Sequence, residues 1–209
     1  GVGGDGVEGV SQSKAFTKKE IREFGESLLE EIDRAFRGVS IKGGVPISEA
    51  YAIDDYEPDD VRAAARARDT YQNWTDVNVR QDGGGSTLTF MDPIGFRFHM
   101  PAYMSLTVRV ELGDTPYPDN NCLIKFEQSW MFELSNELHS EQFSLFGHAQ
   151  RRAVARFLWF LAETSWHNGY SDGLEHIKPL RWSWWADLSS DEQRMIQSRW
   201  NIQKGAWPQ

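Results

Sequence analysis

The sequence predicts a single domain of the α+β class that is predominantly helical and contains a small antiparallel hairpin or sheet. Two capping boxes, Thr17 with Glu20 and Ser189 with Glu192, each mark the start of a helix. The tetrapeptide Asp92-Pro93-Ile94-Gly95 matches a type I turn, and its flanks alternate apolar with polar residues. The capping boxes therefore predict the helical part, and the turn with its flanks predicts the hairpin.

Apolar periodicity gives the approximate ranges of the helices. Residues spaced three and four apart predict a first helix from about Thr17 to Phe36. A second helix is expected to begin at Pro58 and continue to Tyr71, because acidic residues in its first turn suit the helix dipole. A third is expected from His148 to Thr164, and a last one after Ser189 through Trp200. The residues from Ile47 to Ile53 form a short element of undetermined type.

The predicted hairpin pairs Leu88-Thr89-Phe90 with Phe96-Arg97-Phe98. Side chains alternate between the two faces of a strand, so Phe96 and Phe98 share the core face while Arg97 and His99 share the other. Pro101 is then expected in the first turn of a following helix.

The domain boundaries follow from composition. Residues 1–14 are expected to form a flexible tail, since four of the first six residues are glycine. Residues 15–209 are expected to form one globular domain with a tryptophan-rich C-terminal segment, because no repeat or linker divides them.

Charge and cysteine content exclude several classes of protein. The chain has 22 Lys and Arg residues against 31 Asp and Glu residues, and its net charge of −9 argues against a nucleic-acid-binding function. A single cysteine, Cys122, excludes an internal disulfide and a cysteine-based zinc cluster. No apolar stretch approaches the ~20 residues that span a bilayer, and no signal peptide is visible. The sequence therefore predicts a soluble cytoplasmic protein that does not enter a membrane.

No catalytic motif emerges from the remaining residues. The five histidines lack metal-site spacing, and no nucleophile elbow, phosphate loop or dinucleotide fingerprint is present. Cys122 fits a small buried apolar residue better than a nucleophile. His139 and His148 are expected at the surface or in single hydrogen bonds, although either could meet a distant carboxylate. No metal or other cofactor is predicted.

The densest charge feature consists of five carboxylates within seven residues: Asp54, Asp55, Glu57, Asp59 and Asp60. One interpretation is a calcium loop, but the spacing does not match an EF-hand. Another is an anionic surface that steers a basic protein partner. The simplest is a solvated loop whose last acids begin the next helix. The sequence leaves these alternatives open.

Tryptophan is the compositional outlier, with nine residues of which all except Trp74 follow residue 129. The densest group is Trp182, Trp184 and Trp185. Tryptophans often fill cores, yet they also anchor interfaces because a rigid aromatic ring buries a large area. Trp182 and Trp184 would share one face of an extended segment and Trp185 the other, so at least one is expected at the surface.

The stretch from Met91 to Met104 resembles the central signature of an uncharacterised bacterial protein family, known only as a domain of unknown function. In that family a Leu-Asp-x-x-Gly turn precedes Phe-Arg-Phe, an aromatic residue and Leu-Pro-Ala-Tyr or Leu-Pro-Ala-Phe. The resemblance extends over about Leu28 to Leu161, with the tryptophan-rich tail outside it. The segment from Leu145 to Gln150 departs from the family pattern because it lacks the usual threonine cap. The resemblance implies a small soluble bacterial protein without catalytic residues to transfer.

These observations favour a non-enzymatic protein-binding factor that blocks a cationic partner surface, similar in size and charge to an immunity or antitoxin protein. The five acids would steer a protein partner such as a toxin or an assembly subunit, and Trp182, Trp184 and Trp185 would anchor it. Two alternatives remain. One is a small hydrolase or carbohydrate-processing enzyme that uses Glu127 and Glu133 beside the tryptophans, and the other is a structural subunit of a larger assembly.

Overall fold

The computed structural model describes residues 14–80, 85–119, 123, 141–180 and 184–202. Within these ranges the chain forms seven α-helices and three short 3-10 helices. The α-helices are α1 (Lys18–Phe36), α2 (Ile47–Asp54), α3 (Asp59–Arg66), α4 (Pro93–Glu111), α5 (His148–His167), α6 (Leu174–Pro179) and α7 (Ser190–Arg199). The 3-10 helices are Trp74–Asp76, Gly85–Phe90 and Trp185–Asp187. The predicted flexible tail lies outside the described residues, apart from Lys14.

The prediction of an α+β fold with an antiparallel hairpin is wrong. No strand occurs in the described part of the chain, and the expected second strand is instead the beginning of α4. Asp92 is the N-cap of α4, where its carboxylate accepts a hydrogen bond from the backbone N–H of Gly95 at 2.9 Å. Pro93 occupies the first helical turn. The expected first strand, Leu88–Phe90, belongs to a 3-10 helix.

Two physical features of α4 explain this error. An Asp-Pro pair suits a helix start as well as a type I turn, because the aspartate caps the helix and proline needs no hydrogen-bonded N–H there. In addition, α4 is buried on nearly all sides: Phe96, Phe98, His99, Met100 and Tyr103 are all fully buried. A helix surrounded by core lacks the single apolar stripe that identifies a surface helix.

Most helices predicted from local signals are confirmed, with shifts at their ends, but Pro101 lies inside α4 rather than in the first turn of a separate helix, because α4 already begins at Pro93. The Thr17–Glu20 capping box begins α1, and the Ser189–Glu192 capping box begins α7. The predicted third helix corresponds to α5, which extends to His167. The second helix, α3, ends at Arg66 rather than near Tyr71.

The core forms where α1 packs against α5 and α4. Its largest contributions include Leu28 and Ile32 of α1, Tyr103 of α4, and Phe157 and Phe160 of α5, all of them fully buried. Helices α2 and α3 pack on each other, and α2 also packs on the Gly85–Phe90 helix, so they form a pair beside this core.

The beginning of α4 holds the segment that leads into α2. Asp92 also accepts a hydrogen bond from the backbone N–H of Val45 at 2.8 Å. A side chain at Gly95 would place its Cβ 2.2 Å from the carbonyl oxygen of Val45. Glycine is therefore needed at position 95 for steric reasons. Asp92 and Gly95, which suggested a type I turn, instead hold the segment around Val45 against the start of α4.

Candidate interaction surface

The five predicted acids lie at the junction of α2 and α3, and we call residues 54–60 the acidic turn. Helix α2 ends at Asp54, and the chain reverses through a Schellman-type arrangement. The backbone N–H of Glu57 donates to the carbonyl of Ala52 at 2.9 Å, and the N–H of Tyr56 donates to that of Ile53 at 3.1 Å. Asp59 then begins α3. The sequence thus correctly placed the last acids in the first turn of a helix.

Tyr56 is the most unusual residue of the acidic turn. Its φ of 56° lies in the left-handed region, which glycine usually occupies at this point of a Schellman motif. Its side chain is 91% exposed, so the core gains nothing from the ring. A left-handed residue other than glycine costs about 1–2 kcal/mol. Such strain at an exposed aromatic residue favours a functional role over a structural one.

The carboxylates around Tyr56 have little counter-charge. Asp55, Asp59 and Asp60 are exposed, and Asp54 and Glu57 are half-buried. Within the described residues, the one ion pair formed by this group joins Asp59 to Arg62 at 3.8 Å. The turn therefore presents an exposed aromatic ring together with four carboxylates that form no ion pair within the described residues.

A buried hydrogen-bond chain holds α2 in place. His99 of α4 is fully buried, and its Nδ1–H donates to the carbonyl of Gly95 at 2.7 Å, which leaves Nε2 as an acceptor. The Tyr71 hydroxyl donates to this Nε2 at 2.7 Å and accepts from the backbone N–H of Ile47 at 3.2 Å. Because Ile47 is the first residue of α2, the chain ties that helix to α4.

Two further contacts fix the pair formed by α2 and α3. Asp69 accepts hydrogen bonds from the backbone N–H and the hydroxyl of Ser48, at 2.7 and 2.9 Å. Arg66 of α3 forms an ion pair with Glu49 of α2 at 2.7 Å and donates to the carbonyl of Gly44 at 3.0 Å. These contacts hold α2 and α3 in place, and the acidic turn lies between these two helices.

The structure describes two of the three predicted tryptophan anchors. Trp182 lies outside the described residues. Trp184 is 1% exposed; its ring packs 4.8 Å from that of Phe143, and the guanidinium of Arg151 lies 4.6 Å from its centre. Trp185 is half-buried. The indole of Trp184 therefore contributes to the core, and the exposed aromatic ring beside the acids is Tyr56, whose exposure no sequence pattern indicated.

The arginines of α5 are engaged inside the domain. Arg152 forms a bidentate pair with Glu192 at 2.8 and 2.9 Å, and Arg156 contacts both Glu31 and Glu192. Arg151 lies 3.0 Å from Asp187. These pairs join α5 to α1, α7 and the Trp185–Asp187 helix, so their positive charge is already neutralised by neighbouring carboxylates.

The described residues show little catalytic or metal-binding chemistry. No group of three or more His, Cys, Asp or Glu side chains converges in this part of the chain to hold a metal ion. His148 does meet a distant carboxylate, since its Nδ1 lies 3.3 Å from Asp187. Glu127, Glu133, Cys122 and His139 all lie outside the described residues.

The model of a family of unknown function, DUF6714, matches residues 25–189 of the chain. The match extends beyond Leu161 and includes Trp182, Trp184 and Trp185. The prediction that the tryptophan-rich tail lies outside the family is therefore wrong for these three residues. No curated protein matches the chain. No solved structure matches it. None of the helices in the described ranges combines the length and apolar character required to cross a membrane.

Proposed function

Because the chain belongs to the DUF6714 family, whose function is unknown, we propose a function from the acidic turn. The protein is a non-enzymatic binding factor that covers a cationic surface of a partner protein, in the manner of an immunity or antitoxin protein. The observation that carries the proposal is Tyr56, an almost fully exposed aromatic ring in a strained backbone conformation, with five carboxylates within four residues of it in the sequence.

The two features of this surface have different roles in binding. Uncompensated carboxylates attract a basic surface over several ångströms, which raises the association rate and lowers the affinity for acidic competitors. A tyrosine at the centre of the contact supplies a rigid apolar area and a hydroxyl, and such residues are frequent hot spots. The acids would therefore control encounter, and Tyr56 would control how long the complex lasts.

The enzyme alternative depends on Glu127 and Glu133, which lie outside the described residues, so Glu163 is the carboxyl to consider here. A catalytic carboxyl normally combines a shifted pKa with access to a pocket. Burial raises the pKa of Glu163, and hydrogen bonds from Arg199 and Trp159 oppose this rise. However, Glu163 is fully buried and its carboxylate is held by Arg199, so substrate cannot reach it.

Neutralising the acidic turn is expected to slow association with the partner. The variant carries Asp→Asn at positions 54, 55, 59 and 60 together with Glu57→Gln. We expect the association rate constant at low salt to fall about tenfold and its dependence on ionic strength to flatten, because the steering field is removed. The partner is first captured from a lysate of the native host with the wild-type chain and identified by mass spectrometry, and the rates are then measured with the purified proteins.

A matched control separates local charge from net charge. It neutralises five exposed carboxylates elsewhere: Glu23, Glu26, Glu141, Glu175 and Asp191. This control changes the net charge equally and should associate at nearly the wild-type rate. If both variants associate equally fast, the acidic turn does not form the binding surface.

A further inference from the structure

A groove of about 590 Å³ lies between α1, α4 and the segment formed by residues 74–80. We call it the α1–α4 groove. Its apolar lining residues are Leu29, Trp74, Val77, Val79, Ala102 and Leu106. The volume falls within the ~300–1,000 Å³ typical of ligand-binding sites. The groove is distinct from the acidic turn, which lies on α2 and α3.

Opposite charges border the α1–α4 groove. Helix α1 contributes Glu30 and Asp33, whereas Arg80 and Arg109 come from the 74–80 segment and from α4. Asp33 is engaged with Arg37 at 2.7 Å. Within the described part of the chain, Glu30 and Arg109 form neither an ion pair nor a hydrogen bond through their side chains. The groove therefore offers one carboxylate and one guanidinium that are available to a ligand.

Arg80, the other arginine that lines the groove, holds one edge of it in place. Arg80 donates to the hydroxyl of Thr115 at 2.5 Å and to the carbonyl of Pro116 at 2.6 Å. These bonds connect the 74–80 segment to the loop that follows α4. Contacts within the protein therefore fix this edge of the groove.

The length of the groove sets the size of its ligand. Along α4 it extends from Ala102 to Arg109, two helical turns and about 10 Å. An extended chain covers ~3.3 Å per residue, so about three residues fit along it. The apolar floor accommodates one large side chain, and the two available charges come from different walls of the groove, Glu30 from α1 and Arg109 from α4.

We propose that the α1–α4 groove binds an extended peptide segment in which one apolar side chain lies between a basic and an acidic residue. The basic residue meets Glu30, the apolar side chain enters the groove, and the acidic residue meets Arg109. Charge complementarity on two sides of an apolar floor favours this ligand over an uncharged apolar molecule, which would leave both charges unused. The site is independent of the proposed role of the acidic turn.

A titration of the full-length ¹⁵N-labelled protein tests this proposal. The probes are the peptides acetyl-Lys-Trp-Glu-amide and acetyl-Gln-Trp-Gln-amide, and binding is followed by amide chemical shifts. We expect saturable shifts around Leu29, Val79 and Leu106, with the charged peptide bound about tenfold more tightly because two exposed charge pairs each contribute a few-fold. Competition with an uncharged aromatic molecule, indole, measures the contribution of the apolar floor alone.

Variants of the groove identify which groups bind the peptide. Arg109→Gln and Glu30→Gln should each weaken binding of the charged peptide about threefold and leave the neutral peptide unaffected. Ser105→Leu, which adds volume at a half-buried lining position, should abolish binding of both. The controls Glu23→Gln and Arg68→Gln alter exposed charges elsewhere and should bind as the wild type does.

Three results would each overturn the proposal: no saturable shift at millimolar peptide, equal affinity for the charged and neutral peptides, or binding that persists in Ser105→Leu. The variant with a neutralised acidic turn should bind the peptide normally. A negative peptide titration therefore does not contradict the proposed function. A negative partner experiment does not contradict peptide binding in the α1–α4 groove.

Discussion

Replacing Arg199 with methionine is expected to lower the free energy of unfolding by about 3–5 kcal/mol, the usual cost of removing one member of a buried ion pair. Arg199 of α7 donates from Nε and Nη2 to the Glu163 carboxylate of α5, with both distances 2.5 Å. Glu163 also accepts from the indole N–H of Trp159 at 2.9 Å and has no exposed surface. The substitution leaves this carboxylate buried without its counter-charge.

The aromatic surroundings of Arg199 add to the expected loss. Its guanidinium lies 4.1 Å from the ring centre of Phe16, 5.2 Å from that of Trp166 and 5.8 Å from that of Trp200. Cation–π contacts of this kind contribute about 0.5–2 kcal/mol. Arg199 therefore joins α7 to α5 and to the residues that precede α1.

A double-mutant cycle with Glu163→Gln measures this interaction directly. The Arg199→Met/Glu163→Gln protein should be more stable than Arg199→Met alone, because it no longer buries a charge. Arg194→Gln, which breaks an exposed pair with Asp191, should change the stability by less than about 0.5 kcal/mol. If Arg199→Met is no more destabilising than Arg194→Gln in urea unfolding, this pair does not hold α7.

The pH dependence of the Arg199→Met variant provides a second readout. Without Arg199, burial raises the pKa of Glu163 above its value in the unfolded chain, and the hydrogen bond from Trp159 only partly opposes this rise. A carboxyl with a raised folded pKa favours the folded state at low pH, and this contribution is lost as the pH rises through the folded pKa. The destabilisation should therefore be smaller at pH 5 than at pH 8.

The stability of the wild-type protein is expected to fall by up to about 3 kcal/mol between pH 6.5 and pH 4 because of His99. Burial lowers the pKa of His99 to about 4, and the Gly95 carbonyl and the charges of Asp69 and Asp92 only partly oppose this shift. Between these pH values the unfolded chain binds a proton at His99 that the folded protein does not. Each pKa unit corresponds to about 1.4 kcal/mol, so the stability rises with pH across this window.

Variants isolate the contribution of His99 from that of other titrating groups. His99→Gln should remove most of this slope, although it should also lower stability at pH 7 by weakening the bonds to Gly95 and Tyr71. His148→Gln, at a largely exposed histidine, should retain the slope. The measurement is the free energy of unfolding at several pH values, and an unchanged slope in His99→Gln would show that His99 does not titrate as described.

Local sequence patterns were sufficient to predict the helices whose first turns are capped by residues close to them in the sequence. In both capping boxes the two partners are three residues apart, so the hydrogen bonds that begin α1 and α7 can be predicted from the sequence. Helix α4 could not be predicted in this way. Its Asp-Pro start is compatible with a turn, and its burial on most sides removes the periodicity that distinguishes a helix from a strand.

The acidic part of the candidate surface could be predicted from the sequence, whereas its aromatic part could not. The acidic residues were recognisable because they are adjacent in the sequence, and α3 begins where they predicted. The exposure of Tyr56 depends on a left-handed backbone at the end of α2, which the sequence indicates poorly because glycine is the usual residue there. The burial of Trp184 depends on Phe143 and Arg151, 41 and 33 positions away, and no local pattern indicates such contacts.

The most direct test of the proposed binding function is the Tyr56→Gly variant, examined both for stability and for binding to the captured partner. Glycine relieves the left-handed strain, so the free energy of unfolding should rise by up to about 1 kcal/mol. Removal of the ring should at the same time weaken the complex about tenfold, mainly through faster dissociation. A protein that is at least as stable as the wild type but binds less tightly would support the surface at Tyr56, whereas unchanged affinity for the partner would contradict it.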